Sequence, residues 1–305
     1  MTQTPGIDAE TFRIRTADGR VLHVLTAGPT DGLPLVYHSG TPSGLVPFEP
    51  MATAAAGRGL RLVTYTRPGY GESDPQPGRR VADAAADVIT ILDQLGARRC
   101  VTIGWSGGGP HALATGALLG DRCLAAATIA GVAPYHAEGL DFLAGMGEEN
   151  IAEFDAAEQG EEPLSGYLAE QLAALSGITG AKVAEALGGL VTAVDQAALT
   201  GSFAEYQAAS FRAALSTGIA GWRDDDLAFV ADWGFALADL RLPVSIWQGD
   251  QDAMVPFAHG QWLAAHIPGA RAHLLPGEGH LSIGITRIGD VLAELADLAD
   301  LAGDR

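Results

Sequence analysis

The chain of 305 residues has one lysine, Lys182; the rest of its 18 basic residues are arginines. A nucleotide-binding P-loop requires Gly-Lys-Ser/Thr, and Lys182 stands in Gly-Ala-Lys-Val. Schiff-base or pyridoxal chemistry would fall on that same lysine, in an alanine-rich stretch of helical character, so neither is expected. Cysteine is scarce as well. Cys100 and Cys123 are too few for a disulfide framework and lack zinc-ligand spacing, so both are expected as small apolar residues in or beside strands. Basic charge is low: 18 basic against 37 acidic residues leave a net charge of −19, and no basic patch forms. That excludes a nucleic-acid partner and disfavours an anionic membrane surface. Long apolar runs are missing; Cys123–Ala133, interrupted by Thr128, is far short of a bilayer span. The opening MTQTPGIDAE has no basic region, apolar region or cleavage site, so no signal peptide and a cytoplasmic location are expected. No Gly-x-Gly-x-x-Gly follows the first strands and no His-Glu-x-x-His occurs; no cofactor and no metal are proposed.

What is present reads as a globular α/β protein. Hydrophobic residues make up 48% and charged residues 18%, which excludes a disordered chain. Thr11–Thr16 and Arg20–Ala27 are rich in β-formers, and Asp18-Gly19 between them supplies a hairpin turn. Leu33–His38, Leu60–Tyr65, Cys100–Gly104, Leu124–Ala130, Leu242–Gln248 and Arg271–Leu275 read as further strands. Val81, Ala84, Ala85, Val88, Leu92 and Leu95 recur at helical spacing, giving an amphipathic helix over Val81–Leu95. Helices are also expected at His111–Leu119, Phe257–His266 and Ile288–Leu301. Strands alternating with helices imply a mostly parallel sheet covered on both faces. Residues 134–235 differ: rich in Ala, Leu, Glu and Gly, they read as a helical insertion between two sheet strands, with 1–133 and 236–305 forming the core. The acidic groups of the insertion, among them Glu148, Glu149, Glu161, Glu162 and Asp224–Asp226, are expected to be solvated.

Gly104-Trp105-Ser106-Gly107-Gly108 fits Gly-x-Ser-x-Gly, between a strand and an alanine-rich helix. A serine on such a turn is held in a strained conformation, with its hydroxyl presented above the sheet and a helix N-terminus beside it. A serine hydroxyl needs a base, and the base an orienting acid, expected downstream in the order acid then histidine. Leu242–Gln248 is followed by Gly249-Asp250-Gln251-Asp252, which puts a carboxylate at the carboxyl edge of the sheet. The histidines at 259, 266, 273 and 280 are evenly spaced, but only His280 falls on a loop after a strand. An oxyanion hole needs two backbone N–H groups; Gly107 follows the nucleophile, and Thr41 lies in the His38-Ser39-Gly40-Thr41-Pro42 loop.

These residues, with Arg67-Pro68-Gly69-Tyr70-Gly71-Glu72-Ser73, Val255-Pro256 and Gly279-His280, resemble the α/β-hydrolase superfamily, in the branch with a helical cap inserted after the sixth strand. The likeness covers roughly residues 11–302. It implies an α/β-hydrolase fold, a triad of Ser106, Asp252 and His280, and an oxyanion hole of Thr41 and Gly107. The family pattern selects Asp252 over Asp250, because it precedes Val255-Pro256. Ser39 before Gly40 and Thr66 before Arg67 depart from the family's usual His and Asp. The expected activity is that of a serine hydrolase cleaving an ester or related acyl bond of a small molecule. A proline iminopeptidase-like aminopeptidase, a carbon–carbon bond hydrolase, and a ligand-binding protein with a vestigial site are the alternatives. Against the aminopeptidase, that branch has Trp after the serine, whereas Trp105 precedes Ser106. Phe142, Leu143, Tyr167, Leu168, Leu172, Phe203, Tyr206, Phe211 and Trp222 suit an apolar pocket under the cap. With the acidic runs facing water, neutral acyl esters are expected over free-amine substrates. The sequence says nothing of oligomeric state.

Overall fold

The computed structural model describes residues 8–303. The segment read for a signal peptide begins in residues 1–7, outside the described residues. At Asp18-Gly19 the chain reverses, Gly19 taking φ 93° and Thr16 N–H bonding Arg20 O at 2.8 Å. This turn pairs β1 (Ala9–Arg15) antiparallel with β2 (Val21–Ala27). The remaining strands are β3 (Leu33–His38), β4 (Leu60–Tyr65), β5 (Cys100–Trp105), β6 (Cys123–Ile129), β7 (Val244–Gly249) and β8 (Arg271–Leu275). They form one eight-stranded sheet in the order β1-β2-β4-β3-β5-β6-β7-β8, parallel from β4 onward. Every residue of β5 and β7 is buried, as continuous apolar runs in a sheet covered on both faces require. β7 starts two residues later than its apolar run suggests, because Pro243 has no N–H for the ladder.

The helices are α1 (Glu49–Ala56), α2 (Ala84–Gln94), α3 (Gly108–Leu118), α4 (Glu148–Gln159), α5 (Glu161–Leu175) and α6 (Val183–Leu187). They continue as α7 (Ala193–Ala198), α8 (Gly201–Ala214), α9 (Ala220–Val230), α10 (Phe257–His266), α11 (Ser282–Thr286) and α12 (Ile288–Gly303). α1 and α12 cover one face of the sheet; α2, α3 and α10 cover the other. The apolar stripe that predicts α2 is the face it buries, through Ala84, Ala85, Val88, Ile91 and Leu92. Its first turn, Val81–Asp83, is a 3₁₀ turn, closed by Arg80 N–H on Asp83 Oδ2 at 2.8 Å. α1 and α11 are too short to show a hydrophobic period and have no counterpart in the sequence reading. Cys100 and Cys123 are free and buried on neighbouring strands.

Between Ile129 and Val244 every regular element is helical. These helices share an apolar cluster with the sheet: Phe203 of α8 stacks on Trp105 at a centroid distance of 6.3 Å, and both touch Phe48. Glu148, Glu161 and Glu162 are exposed as expected. Asp224–Asp226 are not: they are 3%, 0% and 1% exposed. The run lies where α9 packs against α4, α5 and the loops at the sheet edge, so a cluster of charges in sequence became a buried one. No helix of the described residues is long and apolar enough to cross a membrane.

Candidate active site

β5 ends and α3 begins within three residues, and Ser106 sits between them at φ 56°. Only glycine fits on either side. A Cβ on Gly104 would lie 2.1 Å from Gly108 O, and one on Gly108 would lie 1.9 Å from His38 O. The serine's strained backbone costs about 1 kcal/mol or more and is held by the sheet, through Ser106 N–H on Ile129 O at 2.8 Å.

The loop after β3 lies against this turn. A Cβ on Gly40 would be 3.3 Å from Ser106 Cβ, and one on Gly107 would be 2.5 Å from Thr41 Oγ1. Arg67 holds the loop: its guanidinium donates to Ser39 O at 2.6 Å, Gly40 O at 2.9 Å and Thr41 Oγ1 at 2.9 Å. Behind Arg67 is Asp225, which also accepts from Thr41 Oγ1 and Tyr70 Oη, both at 2.9 Å, and pairs with Arg79 at 2.7 Å. Burial opposes the charge on Asp225, but Arg67 and Arg79 outweigh it and hold the carboxyl far below its usual range.

On the other side, the loop after β7 folds around Asp252. Its Oδ1 accepts Met254 N–H at 2.9 Å and Val255 N–H at 2.8 Å. Its Oδ2 accepts Gln248 Nε2 at 3.0 Å and lies 2.9 Å from His280 Nδ1. The structure thus brings His280 onto Asp252. Asp250 stays on the surface, bracing the next loop through Gly277 N–H at 2.8 Å. Burial disfavours protonated His280, but the charge and hydrogen bond of Asp252, with the charge of Asp195, raise its pKa above the ordinary value. The other three histidines are used elsewhere. His259 accepts from Ala133 N–H and lies beside Phe142 O; His266 stacks on Trp262; His273 stacks on Trp247 and bonds Glu294.

Asp195 has no counterpart in the sequence reading. It comes from α7, is fully buried, and accepts the backbone N–H groups of His280, Leu281 and Ser282 at 3.0, 2.8 and 2.9 Å. Gly279 makes room for it, since a Cβ there would lie 2.4 Å from Asp195 Oδ1. No local signal marks Asp195 or the roles of Asp225 and Arg79. In these roles their partners lie at least 85 residues away, although Asp195 Oδ2 also accepts from Thr192 Oγ1 at 3.3 Å.

Ser106, Gly107, Thr41 and His280 line one cavity, with Asp252 behind the imidazole. Of the apolar residues singled out in the sequence, Tyr167, Tyr206, Phe211 and Trp222 face this space; Phe142, Leu168 and Phe203 are buried in packing. The helical wall also brings Glu149, Glu153 and Asp226 to the cavity, and among the described residues no arginine or lysine lines it. Among the described residues no group of three or more His, Cys, Asp or Glu side chains is placed to hold a metal ion.

A family model described as the alpha/beta hydrolase fold matches residues 34–284. A non-heme chloroperoxidase from Streptomyces lividans is 35% identical over 97 residues, 32% of this chain and 35% of that protein. A pimeloyl-(acyl-carrier protein) methyl ester esterase from Aromatoleum aromaticum is 38% identical over 68 residues, 22% of this chain and 25% of that protein. These alignments span about a third or less of each relative's length. A bromoperoxidase structure from Bacillus anthracis aligns with TM-score 0.70 at 23% identity, over 95% of this chain and 100% of that one. An esterase structure from Rhodococcus sp. ECU1013 aligns with TM-score 0.66 at 20% identity, over 95% and 98% of the two chains. At these identities the structural likeness is one of fold.

Proposed function

The chain belongs to the alpha/beta hydrolase family, and from that premise we propose that it is a serine hydrolase acting on an ester or related acyl bond of a small molecule. The observation that carries this reading is that a strained Ser106 and an Asp252-held imidazole line one cavity. In this reading Ser106 Oγ attacks the carbonyl carbon and passes its proton to His280 Nε2, since Nδ1 is engaged by Asp252. The backbone N–H groups of Thr41 and Gly107 hold the oxyanion, each such donor being worth roughly 10²–10³ in rate. The bond to the leaving group breaks and that group takes the proton from the imidazolium. Water, deprotonated by His280, then releases the acyl group as an acid. Residues 134–235 act as a cap that shapes the acyl pocket. Relatives that include an esterase support the acyl chemistry, and the reading is of a cytoplasmic enzyme that needs no cofactor.

A fluorophosphonate probe tests the reading directly. Stoichiometric labelling at Ser106, found by peptide mass mapping, is the expected result. An unlabelled but folded protein would sink the reading and leave a ligand-binding protein on this fold.

A further inference from the structure

The three consecutive aspartates of α9 are all buried, and they differ in what faces them. Asp224 accepts from Arg223 Nε and Nη2 at 2.9 and 2.8 Å. Asp225 is paired with Arg67 and Arg79. Asp226, 1% exposed, has no cationic partner among the described residues. The nearby arginines are committed, for Arg223 also bonds Glu161 at 2.9 Å and Arg67 holds the loop beside Ser106. Asp226 instead faces a second carboxyl, Glu153 of α4. Glu153 Oε1 accepts Trp222 Nε1 at 2.7 Å, whereas Asp226 Oδ2 is buried and reached by no donor from the protein. Both side chains line the cavity that holds Ser106 and His280.

Two facing carboxyls in a cavity wall, Asp226 buried and Glu153 half-buried, resist ionising together unless something positive lies between them. Burial raises the pKa of Glu153; burial and the Glu153 charge raise that of Asp226 well above the carboxylate range. Both shifts favour one proton held between the two carboxyls. Glu149, on the same wall, accepts Gly189 N–H on Oε1 at 2.9 Å and adds a further carboxyl rather than a counter-charge.

We infer that Glu153 and Asp226 form a binding subsite for a protonated amine carried on the non-reacting end of the substrate. The inference rests on the serine hydrolase reading and narrows its substrate class. An ammonium brings both a charge and up to three N–H donors, which two carboxylates and their unmet lone pairs accept. The shared proton leaves to solvent as the ammonium enters, so the loaded pair carries the same net charge as the empty one. A metal ion is poorly served, because no third His, Cys, Asp or Glu joins the pair. The expectation that the helical segment's acidic groups are solvated does not hold at Asp226, which is 1% exposed.

The test compares isosteric p-nitrophenyl esters: β-alanyl with butyryl, and 6-aminohexanoyl with heptanoyl. Each kcat/KM is divided by the uncatalysed rate of the same ester. The ammonium-to-methyl ratio is expected to exceed one in the native protein for at least one chain length. In Asp226→Asn and in Glu153→Gln it should fall about 10- to 100-fold, the worth of a charge-assisted hydrogen bond. The ratio cancels any loss of rate common to both esters. A native ratio below one at both lengths, or one unchanged in both variants, overturns the subsite. Calorimetric binding of hexylamine against hexanol to Ser106→Ala reads the same preference without turnover, and equal binding also overturns it. Failure here with intact fluorophosphonate labelling at Ser106 removes the subsite alone; absent labelling removes the serine hydrolase reading.

Discussion

The loops at the carboxyl edge of the sheet and the helices between β6 and β7 both place carboxylates around the same cavity, by opposite routes. In the loops, Asp252 is oriented by Met254 and Val255 N–H groups two and three residues on, and by Gln248 four residues back. The helices bring Asp195 and Asp225 to partners 85 to 184 residues away. A motif is legible when the bonds that orient its key residue are local. It is silent when a charge is fixed by elements that meet only on folding. The loops carry the groups proposed for the chemistry, and the helices carry those proposed to brace and select.

That division can be broken by mutation. The largest effect is expected at the elbow. Ser106→Ala should lose about 10⁶ in kcat while unfolding at the same denaturant concentration as the native chain. Retention of more than a tenth of the native rate would mean that the nucleophile lies elsewhere. Next, Asp252→Asn should lose about 10⁴, because an amide favours the wrong imidazole tautomer, whereas Asp250→Asn should stay within a few-fold. Equal losses would show that the sheet-edge loop does not discriminate between its two aspartates.

On the helical side the expected effect is on stability. Asp225→Asn leaves Arg67 and Arg79 buried without their carboxylate and should cost about 3–5 kcal/mol in urea unfolding. Glu161→Gln, on the exposed face of the same region, should change stability by no more than about 0.5 kcal/mol. Similar values for the two would mean that the buried network carries no special weight.

The smallest effect sharpens the comparison where the two regions touch. A base must be neutral to act, and the pKa of His280 is raised, so kcat/KM should rise with pH along a limb centred above about 6.5 and fall away as pH drops below it. Asp195 contributes to that raised value and bonds the backbone at His280. Asp195→Asn should therefore move the limb to lower pH and reduce kcat about 10- to 100-fold, the range of one to two charge-assisted bonds. A lowered kcat with an unmoved limb would make Asp195 a purely structural brace.

The sequence alone determined the strands, the covering helices α2, α3, α10 and α12, and the strand-to-helix turn. Apolar runs, the period of α2 and the glycines around Ser106 are local constraints on backbone and burial, and a chain cannot satisfy them in many ways. It also determined the lack of basic surface and the single lysine. Tertiary structure decided which carboxylates are exposed, paired with arginine or set against another carboxyl. Glu148 and Asp226 look alike in an acidic stretch, yet one meets water and the other meets Glu153 in a cavity wall. Composition counts charges; only packing sets the distance to the nearest opposite charge and to water, and those distances set what a carboxyl does.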